Sequence, residues 1–346
     1  MQEMKCNYIM IATDVDDVAF MYSGVNNQSS QLFLLNHKLY EKNLYKIIAR
    51  FLYARKLSFI FTKKIQFAIK HILQKVYKKV FFNHFEEKIK LDASKISVEK
   101  KYCFIVMARV FEEYGDSLIE YLKKKFPGAL YTTYFVDVVE SFKTPISAYY
   151  SSFDKIYSFD KSECKKYNFI YCLEPFTYHQ IESINKSPEY DVTFIGAAKD
   201  RLDDILSVYE KLKVHNLKLD FWIFGVKEEN QKYKDEIHYN EYLSFEDFIK
   251  HTLNARCTFE ALQKNGSSPT TRFSMCMLYK RKLLTNCTEL LDSEWSDAMA
   301  TGNIQVYKDM ETIDFKWIKK DCEYDNQKFI ERFSTDRMIE TIDSTL

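Results

Sequence analysis

Short apolar runs alternate with amphipathic segments along most of this chain. CNYIMIA (6–12) has the density of a buried strand. YCFIVMA (102–108) reads the same way, and DSLIEYLKKKF (116–126) behind it carries apolar residues at helical spacing. ALYTTYFVD (129–137), FDKIYSFD (153–160) and YNFIYCL (167–173) are further strand-like runs, with a helical stretch at 161–166. SINKSPEY (183–190) is polar and contains a proline, as a linker does. The alternation then resumes with strand 191–196, helix 201–213, strand 217–226, helix 244–255, strand 257–262, a helix from about 269 to 279 and strand 282–286. The tail from about 323 to 346 is helical in pattern. Strands that alternate with helices are joined by crossovers, and crossovers build parallel sheets. The pattern predicts an α/β protein of two Rossmann-like domains, 1–183 and 191–346, joined by a linker at 184–190.

Length agrees, since 346 residues suit two domains of about 150 residues each. Net charge is +1, so the chain as a whole has no electrostatic footprint for nucleic acid. One segment departs from this average. Residues 42–79 hold eleven Lys/Arg and no Asp or Glu, interleaved with apolar residues such as Ile65, Ile69, Ile72, Leu73 and Val76 at helical spacing. Solvated helix faces usually mix both signs. An all-basic amphipathic segment is also what lies against an anionic membrane surface. The eight cysteines form no CxxC pair and sit largely in apolar runs, as reduced thiols of a cytoplasmic protein do. No apolar run reaches the length of a membrane span, and the N-terminus lacks the pattern of a signal peptide.

Open α/β sheets bind ligands beyond the carboxyl ends of their strands, so chemistry is expected just after strands. EALQKNGSSPTTRFSMCM (260–277) is such a place. It gathers Gly266, Ser267, Ser268, Pro269, Thr270 and Thr271 in a chain with only seven glycines and five prolines. Ser268 is expected as the helix N-cap and Pro269 as the first helical residue. The N–H groups of that first turn, the hydroxyls and Arg272 would converge on an anion. A capped helix start alone is the plainer reading of the same residues. FIGAAKDR (194–201) places Lys199 and Arg201 at the entry of another helix, with one glycine instead of a dinucleotide fingerprint. Lys282 opens the strand after the 269–279 helix and is a weaker third cation. TDVDD (13–17) contains a D-x-D spelling, and Asp14, Asp16 and Asp17 are expected in a loop after the first strand.

Several blocks carry a family likeness: YDVTFIGAAKDRLDDILSVYEKL, LDFWIFGVK and YLSFEDFIKHTLNARCTFEALQKNGSSPTTRFSMCMLYKRKLLTN. They resemble the C-terminal half of GT-B-type bacterial glycosyltransferases of capsule, exopolysaccharide and lipopolysaccharide biosynthesis. YTTYFVDVVESF and FDKIYSFDKSECKKYNFIY are similar to the end of that group's acceptor domain. The likeness covers roughly residues 100 to 290.

The resemblance implies a GT-B fold, two Rossmann-like domains facing each other across a cleft. It implies a transferase, of hexosyltransferase type, that moves a sugar from a nucleotide-diphosphate donor to a lipid-linked or oligosaccharide acceptor. Lys199, Arg201, Gly266, Ser267, Ser268, Thr270, Thr271 and Arg272 would bind the donor diphosphate. Phe224, Gly225, Val226, Tyr242 and Ser244 would lie near the nucleobase, and Glu260 and Gln263 would line the cleft. Asp137 falls where relatives have an aspartate after a strand, and is the first candidate for a catalytic base; Asp16 is the second. Cations and a helix terminus could carry the leaving diphosphate, so no metal and no cofactor are expected. The basic segment would hold the acceptor domain on the cytoplasmic face of the membrane.

Two departures stand beside this likeness. Met275 occupies the place of a glutamate expected to hold ribose hydroxyls or the donor sugar. The tryptophan and serine usual beside the aspartate are absent around Asp137. The alternatives are a degenerate, non-catalytic GT-B module that binds a partner or glycan, and a GT-B-shaped sugar-nucleotide epimerase.

Overall fold

The structure, a computed structural model, describes residues 4–13, 15–26, 30–35, 101–181, 187–321 and 323–346. The basic segment 42–79, Asp14 and residues 184–186 of the expected linker lie outside these residues.

The chain begins with β1 (Cys6–Thr13), α1 (Asp16–Met21) and β2 (Ser30–Leu35). Next come β3 (Lys101–Met107), α2 (Ala108–Tyr114), α3 (Asp116–Lys125) and β4 (Leu130–Phe135). A 3-10 turn at Val139–Ser141 precedes α4 (Ile146–Ser152), β5 (Lys155–Ser158), α5 (Lys161–Tyr167) and β6 (Ile170–Tyr171). These strands form a six-stranded sheet in the order β2-β1-β3-β4-β5-β6.

A second series follows: β7 (Tyr190–Ala197), α6 (Leu202–Val214), β8 (Leu219–Phe224), β9 (His238–Tyr239), α7 (Phe245–Leu253) and β10 (Ala255–Glu260). It continues with α8 (Thr271–Leu278), β11 (Lys282–Thr285), α9 (Ser296–Met299) and β12 (Ile304–Val306). It ends with α10 (Phe315–Ile318), α11 (Gln327–Arg332) and α12 (Thr335–Thr345). The second sheet also has six strands, in the order β12-β11-β10-β7-β8-β9.

Every described strand pairing is parallel. Parallel sheets are covered on both faces, so their strands read as continuous apolar runs. That is why Cys103–Met107 and Val192–Ile195 are buried throughout. The α/β class and its two Rossmann-like sheets are as the pattern predicts.

By packing, the chain divides into residues 1–134 with 142–156, and residues 135–141 with 157–346. The segment 157–181, assigned above to the first domain, is thus grouped with the second. The expected linker ends inside β7, which begins at Tyr190. In the first unit Phe111 packs with Tyr149 and Phe153 at ring separations of 4.8 and 4.9 Å. In the second, Val192, Phe194, Phe221, Ile223 and Phe259 meet Ile205, Val208, Tyr209 and Leu212 of α6.

The pattern overlooked α1, β2, α2 and α4 in the first series, and β9, α9, β12 and α10 in the second. α2 and α3 are separated by Gly115, whose φ of +62° and ψ of −161° are open only to glycine. Three sheet edges are very short: β6 and β9 have two residues each and β12 has three.

Candidate functional site

The carboxyl ends of β7 and β10 gather the candidate residues of the second unit. β7 runs into a tight turn in which Lys199 has φ +46° and the Arg201 N–H bonds the Ala198 carbonyl at 3.1 Å. Asp200 accepts from the Lys264 N–H at 3.1 Å, which ties this turn to the loop after β10.

Arg201 is only 7% exposed. Its guanidinium donates to the Ala261 carbonyl and, at 3.1 Å, to the Ala197 carbonyl, while Nε has no partner. Arg272 donates from Nη2 to the Ile195 carbonyl at 2.6 Å. No other hydrogen bond of its guanidinium is made among the described residues, so most of its donor set is available to a ligand. Both cations lie against the Phe194 ring, at 6.0 and 5.4 Å from its centroid. Burial first, and then repulsion from Arg272, pull Arg201 down to about 10, so it remains charged at neutral pH. Burial also lowers Arg272.

Gly196 makes this closeness possible. A Cβ there would collide with Arg272 Nη2 and would meet Phe194 Cζ at 3.6 Å. Sequence reading gave Gly196 no role beyond ending a strand.

Glu260, expected to line a cleft, is fully buried. Thr270 Oγ1 donates to one of its oxygens and Thr285 Oγ1 to the other, at 2.6 Å. It offsets the charge of both arginines. Both guanidiniums thus face Glu260, and Asp200 and Asp137 also offset the charge of Arg201.

The expected helix start is corrected. The N-cap of α8 is Thr270, whose hydroxyl accepts from the Arg272 N–H at 3.3 Å, and the helix begins at Thr271. Ser268 and Pro269 precede it. The amides of Ser267 and Ser268 do bind an anion, but it belongs to the chain. Asp160 Oδ2 accepts from them at 2.8 and 3.2 Å, and Oδ1 accepts from Ser267 Oγ at 3.1 Å. Asp160 also caps α5 by accepting from the Glu163 N–H at 3.1 Å. Burial works against its charge, yet the bonds from Ser162 and from the amides of Ser267, Glu163 and Ser268 hold its carboxyl below the ordinary range. Ser268 Oγ donates in turn to Glu289 at 2.5 Å and accepts from the Lys161 N–H at 3.0 Å. These two serines are therefore tied to a carboxylate. Gly266, Thr270, Thr271 and Arg272 are left of the stretch for a diphosphate. Gly266 N–H bonds the Gln263 carbonyl at 3.0 Å.

Lys282 is neither a phosphate ligand nor solvated. It is 3% exposed and donates to the Trp317 and Lys320 carbonyls behind α10. Lys199, by contrast, is 39% exposed in its side chain and lies 3.4 Å from Asp137 Oδ2. The first-choice base and a candidate diphosphate cation thus form an ion pair.

The nucleobase candidates separate. Gly225 has φ +73°, and Val226 is buried with its N–H and carbonyl both paired to the Asn240 carboxamide, at 3.1 and 2.7 Å. Val226 therefore has no backbone edge left for a base. Phe224 ends β8 half-buried, and Tyr242 is 87% exposed. Ser244 caps α7 through the Asp247 N–H. Met275 lies in the core at 1% exposure. Asp16, the second-choice base, is exposed in the first turn of α1 in the first unit, in a helix and not the expected loop. Among the described residues no three His, Cys, Asp or Glu side chains form a group that could hold a metal, and no helix is long and apolar enough to cross a membrane. Of the seven described cysteines, all but Cys164 are buried.

Glu163 was missed altogether. It is 3% exposed, and burial raises its carboxyl from 4.5 to about 7, helped by Asp160 and Glu140. A carboxyl raised in the fold contributes stability below its unfolded value, and that contribution is lost as pH rises through the folded value. The pH window here is 4.5 to about 7. Glu163→Gln is expected to unfold at higher temperature than the wild type at pH 8, by up to roughly 3 kcal/mol, with the gap closing by pH 5. Calorimetric scans of both proteins across that range check this; a constant gap would deny Glu163 a raised value.

No known family model and no curated protein matches the sequence. Solved structures with related folds exist. A glycosyltransferase from Rickettsia africae superposes with a TM-score of 0.49 at 12% identity, covering 99% of this chain and 97% of that one. The kitacinnamycin glycotransferase gives 0.41 at 7% identity, with 98% and 94% covered. Acinetobacter baumannii MurG gives 0.36 at 11%, with 97% and 93% covered. Likeness at these scores adds no argument about activity. The fold class stands on the two six-stranded parallel sheets themselves.

Proposed function

We propose that this chain is a glycosyltransferase of the GT-B kind, holding a nucleotide-diphosphate sugar on its second unit. The observation that carries this reading is the pair of guanidiniums, Arg201 and Arg272, both facing Glu260 at the ends of β7 and β10, with Arg272 bonded through its guanidinium to the Ile195 carbonyl alone among the described residues. A charged group with unused donors is costly to bury, and an anionic ligand would pair those of Arg272. Sugar transfer expels a nucleoside diphosphate, so negative charge grows on the leaving phosphate oxygen. Cations already in place stabilise that transition state more than the ground state. In this reading Arg272 and Lys199 contact the diphosphate, Arg201 supplies field from behind, and Thr270, Thr271 and Gly266 border it. Asp137 would take the acceptor proton if the reaction inverts. The acceptor is proposed to be a lipid-linked glycan of surface-polysaccharide assembly, handled at the cytoplasmic face of the membrane without a metal.

A second reading, binding without transfer, is favoured by the Lys199–Asp137 pair, which ties a base to a cation.

The test is thermal unfolding with UDP, GDP, dTDP or CMP, first without metal and then with magnesium, for the wild type, Arg272→Ala and Arg272→Lys. A ligand at about a hundred times its Kd adds roughly 2.7 kcal/mol, a shift of a few degrees. One diphosphate is expected to shift the wild type and not Arg272→Ala. Equal shifts in both would remove the site. Binding with no release of diphosphate from any sugar nucleotide, across an acceptor panel, would select the second reading.

A further inference from the structure

Asp137 sits in the bend between β4 and the 3-10 turn Val139–Ser141. The first amides of such a turn have no acceptor within it. Val138 N–H is bound by Asp137 Oδ1 at 2.9 Å. Val139 N–H is bound from outside the turn, by Glu163 Oε1 of α5 at 2.5 Å. The other oxygen, Glu163 Oε2, is buried with no hydrogen-bond partner.

We infer that Glu163 is a positioning residue for Asp137: through the Val139 N–H it fixes the turn from which Asp137 reaches Lys199. The inference rests on the proposed role of Asp137 in the reaction.

The two oxygens make the hold conditional. With the carboxyl protonated, Oε1 still accepts from Val139, and the uncharged group tolerates burial. On ionisation, a second negative charge arises beside Asp160 and Glu140, opposed by the Val139 N–H and by Lys166. Glu140 belongs to the same turn, where Lys166 Nζ and Tyr167 Oη donate to it at 2.9 and 3.4 Å. Ionisation therefore pushes on the turn that carries Asp137. Burial places this change close to neutral pH.

The test uses the full chain labelled with 15N and 13C and follows the Val139 amide from pH 5.5 to 8.5. Val139 is expected to titrate with a midpoint near 7 in the wild type. In Glu163→Gln it should stay flat at the low-pH position, because the carboxamide oxygen keeps the bond and cannot ionise. In Glu163→Ala the Val139 amide and the Asp137 carboxyl carbon should both shift. If a transfer or donor-hydrolysis assay responds, kcat in Glu163→Ala should fall roughly 10-fold with KM for the donor unchanged. Glu163→Gln should restore kcat and erase the inflection near neutral pH. A silent Val139, or the same titration in Glu163→Gln, overturns the inference. The failures are separable: a titrating Val139 in a protein that binds no nucleoside diphosphate sinks the proposed function instead.

Discussion

Asp160→Ala is expected to lower the stability of the second unit by about 3–5 kcal/mol, the range for removing one partner of a buried charged network. The alanine would leave the Ser267, Ser268 and Glu163 amides and the Ser162 and Ser267 hydroxyls without their acceptor. Each unpaired buried donor costs about 1–3 kcal/mol before relaxation. Asp160→Asn should recover little, because its NH2 would face the same donors. Urea unfolding at pH 7 measures the loss as a lower midpoint at constant slope. Asp160 is depressed in the fold, so its contribution is present above the unfolded value of 3.8 and fades as pH falls through the folded one. Variant and wild type should therefore converge in acid. A loss below about 1 kcal/mol would mean that water replaces the carboxylate at no cost, and the clamp is ornamental.

Gly196→Ala should separate binding from folding. The new methyl group would displace the Arg272 guanidinium and break its bond to the Ile195 carbonyl. The obstructed atom is the far end of a long side chain, which can swing away. The expected stability cost is only about 1 kcal/mol. Binding depends on where the cation sits, and a hydrogen bond to a charged group is worth about 1.5–3 kcal/mol. Affinity for the diphosphate identified by thermal shift should fall roughly 10- to 100-fold, as in Arg272→Ala. Titration calorimetry with that diphosphate decides. Unchanged affinity would show that the Arg272 position is irrelevant to the anion. A large stability loss with intact affinity would make Gly196 purely structural.

Much of the fold was legible because parallel strands are apolar on both faces and announce themselves as runs. β7, β8, β10 and β11 sit within a few residues of their expected places. α2 was hidden because ARVFEEY follows β3 without a polar break. The cations Lys199, Arg201 and Arg272 were visible from their places after strands. The enclosure of the two arginines was not, since it depends on Gly196 and Phe194 meeting a residue far along the chain. Ser268 was misread as a cap for the same reason. Locally it has every property of one, but its partner, Asp160, lies more than a hundred positions earlier. Glu163 carries no local signal at all: an acid in the first turn of a helix is ordinary, and only its enclosure makes it unusual.

The short outer strands bear on how this protein behaves when concentrated. A sheet edge offers a row of unpaired amides and carbonyls to any passing chain, and long flat edges recruit strands from neighbouring molecules. β6, β9 and β12 present two or three residues each, too few to seat an incoming strand in register. With the apolar core strands shielded behind them, self-association by strand addition has little to start from along these edges.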